Sequence, residues 1–130
     1  MGLTITRTQP LCYKEVFLSN DGRSATTTGG DRTGNGFSSV VVVVDITVNT
    51  GGLGSITVSI QGKDANGIYY TILSSAALTA VATTAYTVGL GAATTANVSI
   101  GAPLPETWRV VVTHNNGNGV YYSVGLNLQT

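Results

Sequence analysis

The chain has 130 residues, six basic and six acidic side chains, and a formal net charge of zero. Only 9% of residues are charged while 42% are hydrophobic, which excludes the basic footprint of most nucleic-acid binders and the charged, apolar-poor signature of disorder. The longest valine run, residues 40–44, ends at Asp45 and falls far short of the ~20 apolar residues of a membrane-spanning helix, so neither nucleic acid nor membrane is expected as a partner.

No stretch carries a capped 3.6-residue apolar period, and β-branched Val, Thr and Ile abound, so strands are expected throughout. Met1-Gly2-Leu3-Thr4-Ile5-Thr6-Arg7 has no apolar leader core, and synthesis without a signal peptide is expected. Its Gly2…Thr6 spacing matches a myristoylation pattern, a match expected by chance. Residues 11–19 read as a first strand or arm, with Cys12 expected to be a buried structural thiol. Residues 20–35 hold Gly22, Gly29, Gly30, Gly34 and the Thr26-Thr27-Thr28 run, and predict a long flexible loop of the kind a partner orders.

The strongest strand is 37–49, with Val40, Val42, Val44, Ile46 and Val48 on one face and Asp45, Thr47 and Asn49 on the other. Gly51-Gly52-Leu53-Gly54 is predicted to fold it back as a hairpin onto 55–61, where Ile56, Val58 and Ile60 point inward. Asp64-Ala65-Asn66-Gly67 predicts a second turn, into a strand at 68–73. Residues 74–85 contain alanine, but their Thr and Val favour extended chain, and shorter strands are expected at 85–90 and 97–100. Pro103 and Pro105 bracket a loop. Residues 107–114 put Trp108, Val110, Val112 and His114 on one face, with Trp108 a core anchor; 120–128 do the same with Val120, Tyr122, Val124, Leu126 and Leu128.

Short strands separated by Gly-rich turns predict an all-β fold, a two-layer antiparallel β-sandwich of Ig-like or jelly-roll type with an extended N-terminal arm. The boundary falls near Gly36: an arm and flexible loop over 1–36, and the sandwich over 37–130.

Catalytic chemistry finds no foothold in this pattern. His114 has no nucleophile or orienting group at motif spacing, and Glu15, Asp21, Asp31, Asp45, Asp64 and Glu106 are scattered. The Asp64–Gly67 turn lacks the later ligands of a calcium loop, and the Gly-rich 26–36 stretch lacks the ending of a phosphate loop. No enzyme activity, catalytic residue, cofactor or metal is therefore expected. Two features point to contact surfaces instead. Val41 and Val43 oppose the core-facing valines, so that strand is apolar on both sides and has to be covered twice, by the N-terminal arm or by a neighbouring subunit. Outward Tyr69, Tyr121 and Tyr86 could stack on sugar rings, although cross-strand packing with β-branched neighbours is the favoured account of them.

Ser55-Ile56-Thr57-Val58-Ser59-Ile60-Gln61-Gly62-Lys63-Asp64, Tyr69-Tyr70-Thr71-Ile72-Leu73, Leu104-Pro105-Glu106-Thr107-Trp108-Arg109-Val110 and Tyr122-Ser123-Val124-Gly125 together resemble small structural proteins of tailed bacteriophages, of the decoration-like or minor structural kind. The likeness covers about the last two-thirds of the chain and brings no catalytic residue with it. It implies a non-enzymatic virion protein made in the host cytoplasm, most simply a capsid decoration (cement) protein on the outside of the head. Its expected partners are the major capsid protein and copies of itself, as a homotrimer on three-fold lattice positions. Tyr13, Phe17, Arg32, Phe37, Val41 and Val43 are the expected subunit or capsid contacts. Deleting residues 1–36 is expected to leave a folded but unattached sandwich. The alternatives are a tail-associated structural protein (tube, tip or fibre attachment), and a carbohydrate-binding module that uses Tyr69 and Tyr121 on host glycans.

Overall fold

The alternating apolar rows become strands in the structure, a computed structural model that describes residues 12–33 and 36–130. They are β1 (Cys12–Arg23), β2 (Thr27–Thr28), β3 (Arg32–Thr33), β4 (Ser39–Val48), β5 (Ile56–Lys63), β6 (Tyr69–Ser74), β7 (Thr83–Gly89), β8 (Ser99–Ile100), β9 (Thr107–His114) and β10 (Val120–Gln129). The one helical element among the described residues is a 3-10 turn at Thr50–Gly52.

Two sheets form. The first has the order β1-β10-β4-β7-β8; in the second, β9 pairs with both β2 and β3 on one side and with β5 on the other, and β6 lies beyond β5. All pairings are antiparallel except the short β7–β8 contact. The chain crosses between sheets after β1, β3, β4, β6, β8 and β9, so the first and last strands pair in one sheet while the next-to-outermost pair in the other. This nesting is the double Greek key of a jelly roll rather than an Ig-like order.

The core lies between the sheets. Val40, Val42, Val44 and Ile46 of β4, with Val124, Leu126 and Leu128 of β10, face Ile56, Val58 and Ile60 of β5 and Trp108, Val110 and Val112 of β9. Each is at most 7% exposed, and Trp108 is the expected anchor at 3%. Strict alternation along β4 and β10 produces this inner layer, because a period of two puts every second side chain on the same face.

Four expectations are corrected. β4 and β5 do not form a hairpin: their connection is a corner from one sheet to the other, and their apolar rows face one another across the core. Asn49 closes that corner, accepting a hydrogen bond from the Gly54 N–H and donating to the Gly54 and Thr79 carbonyls. The 20–35 stretch is not simply a loop. Asn20–Arg23 continue β1 along β10, and the Thr and Arg pairs at Thr27–Thr28 and Arg32–Thr33 extend the second sheet. The described part of the N-terminal segment is thus hydrogen-bonded into both sheets; residues 1–11, 34 and 35 lie outside the described residues.

The remaining corrections concern single side chains. Cys12 is exposed, since β1 begins at the rim of its sheet, where Gln129 donates to its sulfur. Val48 is exposed too, because a register shift between Tyr121 and Tyr122 pairs Val48 with the outward Tyr121. The Asp64 turn forms as predicted: β5 and β6 pair, Asp64 accepts from the Asn66 and Ile68 N–H groups, and Gly67 takes φ 81°.

Candidate docking surfaces

The six expected contact residues separate into three groups. Tyr13, Arg32 and Phe37 converge on an open edge of the sandwich, where β1 and β3 frame a cleft of about 480 Å³. Glu15, Asp31, Thr33, Trp108 and Leu128 complete its lining. Register explains the gathering: Tyr13 pairs with the inward Leu128, and Arg32 pairs with the inward Trp108. Arg32 forms an ion pair with Glu15, both side chains less than a third exposed, and its guanidinium carbon lies 5.8 Å from the Trp108 ring centre. The Tyr13 and Phe37 rings are 6.2 Å apart. Because Glu15 already neutralises Arg32, the cleft favours apolar and aromatic groups over a free anion.

Phe17 stands apart from this cleft. A bulge in β1 turns both Phe17 and Leu18 toward the core, and the Phe17 ring packs against the backbone of Gly29, where an added Cβ would lie 2.8 Å from it. It is a packing residue.

Val41 and Val43 occupy the outer face of the first sheet. β1 does not lie over them: it is an edge strand, separated from β4 by β10. Flanking side chains half-bury both valines, and no described element crosses the face. Register adds residues that the sequence did not reveal. Val16, Gly125, Val43 and Ala85 form one row across four strands, and Val16 is 71% exposed. Nothing in the sequence around Val16 marks it, because β1 lacks a regular alternation.

The tyrosines do not make one platform. Tyr121 is exposed on the outer face of the first sheet, its ring over Gly22, whereas Tyr69 belongs to the second sheet. The Arg109 guanidinium lies 3.4 Å from the Tyr69 ring centre, and the Tyr69 hydroxyl donates to Asp31 at 2.6 Å. Lys63 donates to the other Asp31 oxygen. These hydrogen bonds, from Tyr69 first and Lys63 second, hold the Asp31 carboxyl below its usual range, while Asp31 raises the Lys63 ammonium. One face of Tyr69 is therefore already occupied. Tyr86 is buried and leaves the set of outward rings.

His114 sits at the far end of β9, its Nε2 2.9 Å from the Tyr122 hydroxyl and its Nδ1 buried without a partner among the described residues. The Arg23 guanidinium lies over the Tyr122 ring, 5.0 Å from its centre, and donates to the Tyr122 backbone carbonyl. Burial, and then the Arg23 charge, hold the imidazole below the usual histidine range. The unfolded chain thus takes up this proton at a higher pH than the folded one. The associated stability is complete above the unfolded value of ~6.5 and is lost as pH falls from there toward the folded value. With no other histidine in the chain, the melting temperature should drop on acidification from about pH 7 to 5, and His114→Gln should flatten that slope. A variant that kept the full slope would assign it elsewhere.

No protein-family model matches the chain, and no curated protein does. Among solved structures, the SPBc2 prophage-derived protein YomS is similar with a TM-score of 0.57 over 98% of this chain and 100% of that one, at 10% identity. A chain from the structure of infectious bursal disease virus, Gx strain, is similar with a TM-score of 0.51 at 13% identity, over 99% of this chain and 37% of that one. The protein thus spans little more than a third of that viral chain, and at these identities the likeness is one of fold.

Proposed function

We propose that the protein is a non-enzymatic structural component of a virion, bound as a decoration protein to the outside of the head. The observation that carries this reading is the outer face of the first sheet. It is a nearly uncharged surface whose centre, Val16, Val41, Val43 and Ala85, is apolar and whose surround is Ser, Thr and Asn, and no described element crosses it. A soluble monomer avoids such a face, whereas a subunit permanently seated among others hides it. Two further points support it: jelly rolls recur in viral capsid proteins, and the fold is shared with a prophage-derived protein and a chain of a virus structure. Both are fold-level analogies and carry less weight than the surface itself.

On this reading the major capsid protein is the principal partner. The cleft at Tyr13, Arg32 and Phe37 accepts an apolar or aromatic segment from it, and the outer edge of β1, beyond which no described strand lies, accepts a strand. Three-fold lattice positions make trimers the expected grouping on the shell, where several weak contacts add through avidity. The fold also occurs in lectins, but a glycan platform built on both Tyr69 and Tyr121 would need rings that here belong to different sheets.

Cryo-electron microscopy of the virus particles that carry the protein tests this directly. The expected result is jelly-roll density on the outer head surface, with Tyr13 and Phe37 against the capsid protein. Density confined to the tail would replace the decoration role with a tail-associated one. Absence of the protein from purified particles would overturn the virion reading.

A further inference from the structure

We propose that the outer face of the first sheet is a self-complementary docking surface for a second copy of this chain, the two related by a two-fold axis passing over Gly125. Two charges on that face motivate the choice of partner. Lys14 pairs with Asn127, beside Val41, and Asp45 pairs with Ser123 one row beyond Val43. Among the described residues of the face, which runs over β1, β10, β4 and β7, these are the only charged ones.

The two cannot neutralise each other within one chain. They are two strands apart across the sheet and four residues apart along it, about 10 Å by 13 Å, or roughly 16 Å between Cα atoms. Halfway between them lies Gly125, which pairs with Val16 on one side and Val43 on the other. An in-plane two-fold axis over Gly125 superposes Lys14 of one copy on Asp45 of the other, and the reverse. One rotation therefore satisfies both charges twice, as an isologous contact requires. Thr83 donates to one Asp45 oxygen and leaves the second to accept from the lysine.

Gly125 makes close approach possible at the centre. A Cβ there would meet only the Glu15 carbonyl oxygen, at 3.9 Å, so the space above it is open to the partner's valine methyl groups. Sheets stacked in this way lie about 10 Å apart. The patch is small: four strands wide and about 20 Å long, it covers on the order of 400 Å², below the ~800 Å² per partner of a standard interface. The contact is accordingly weak in dilute solution and becomes populated where copies are crowded, as on a particle surface. It does not depend on the virion reading, because it concerns the chain alone.

Sedimentation velocity of the full chain over a concentration series tests it. A monomer–dimer equilibrium is expected, weakened by added salt because exposed charges contribute to it. Lys14→Glu or Asp45→Lys should each weaken the dimer about ten-fold, with the melting temperature nearly unchanged, since both side chains lie on the outer face. Combining Lys14→Asp with Asp45→Lys should restore it. Gly125→Gln, which the fold has room for, should abolish it by wedging the faces apart. A strictly monomeric chain, a trimer, or a dimer that ignores the charge swap would overturn the inference, whereas the virion reading stands or falls on whether purified particles contain the protein.

Discussion

Deletion of residues 1–36 is expected to destroy cooperative folding rather than release an intact sandwich. Those residues contain all of β1, β2 and β3, which pair with β10 and β9. Phe17 and Leu18, both partly buried, pack against the core, where complete burial of such a side chain is worth roughly 1.5–3 kcal/mol and partial burial a share of it. Their removal also strips cover from Trp108, Leu126 and Leu128, and breaks ladder hydrogen bonds each worth about 0.5–1.5 kcal/mol. The combined loss is comparable to the whole stability of an ordinary domain, about 5–15 kcal/mol. The truncated chain should elute as aggregate or expanded monomer, bind a hydrophobic dye and lack a sigmoidal melt. Deleting residues 1–11 leaves every strand of the described structure in place, so it is the cleaner probe of attachment. A 37–130 fragment with a sharp melt near that of the full chain would refute the argument and restore the picture of a detachable arm.

That truncation also marks the limit of what the sequence made legible. β9 and β10 could be read within a residue of their observed bounds, because an apolar residue recurs at every second position from Trp108 to Val112 and from Val120 to Leu128. Apolar character on both sides of β4 was equally plain. Partner strands were not. Gly51-Gly52-Leu53-Gly54 reverses a chain whether the next strand returns to the same sheet or drops into the opposite one, and local turn chemistry does not separate the two. β1 was obscured by its own bulge, which places Phe17 and Leu18 on the same side and breaks the period of two.

The docking surfaces show the same division. Val41 and Val43 announced themselves as adjacent members of one valine run, whereas Val16, Gly125 and Ala85 are isolated residues on three other strands. Only the register of four strands makes them one row. Lys14 and Asp45 acquire a relation in the same way. Tyr69 and Tyr121 both read as outward rings, but which sheet carries each was not legible, and the crossings between sheets put them on different layers. In an all-β chain, face is written locally in the alternation, but neighbourhood across the sheet is set by non-local pairing.

Asn49→Ala is expected to be the most damaging single truncation of a polar side chain. Asn49 is 9% exposed at the corner between β4 and β5, where its amide nitrogen donates to the Gly54 carbonyl at 2.9 Å and the Thr79 carbonyl at 2.6 Å. Its Oδ1 accepts from the Gly54 N–H at 2.9 Å. Alanine removes all three bonds, and each buried group left without a partner costs about 1–3 kcal/mol. Water entering the vacated space would recover part of this, which sets the expected loss near 2–4 kcal/mol. In urea this should appear as a lower midpoint at unchanged slope, and in a thermal melt as a fall of roughly 10 °C or more. Asn49→Leu fills the space and excludes water, so it should be at least as harmful. Asn49→Asp keeps the acceptor for Gly54 N–H but sets a carboxylate oxygen against two carbonyls, and should not rescue. Gly54 itself tolerates no side chain, since a Cβ there would run into Val120 and the Asn49 amide oxygen. If Asn49→Ala cost less than about 1 kcal/mol, the corner would be held by the packing of β4 against β5, and the amide would be dispensable.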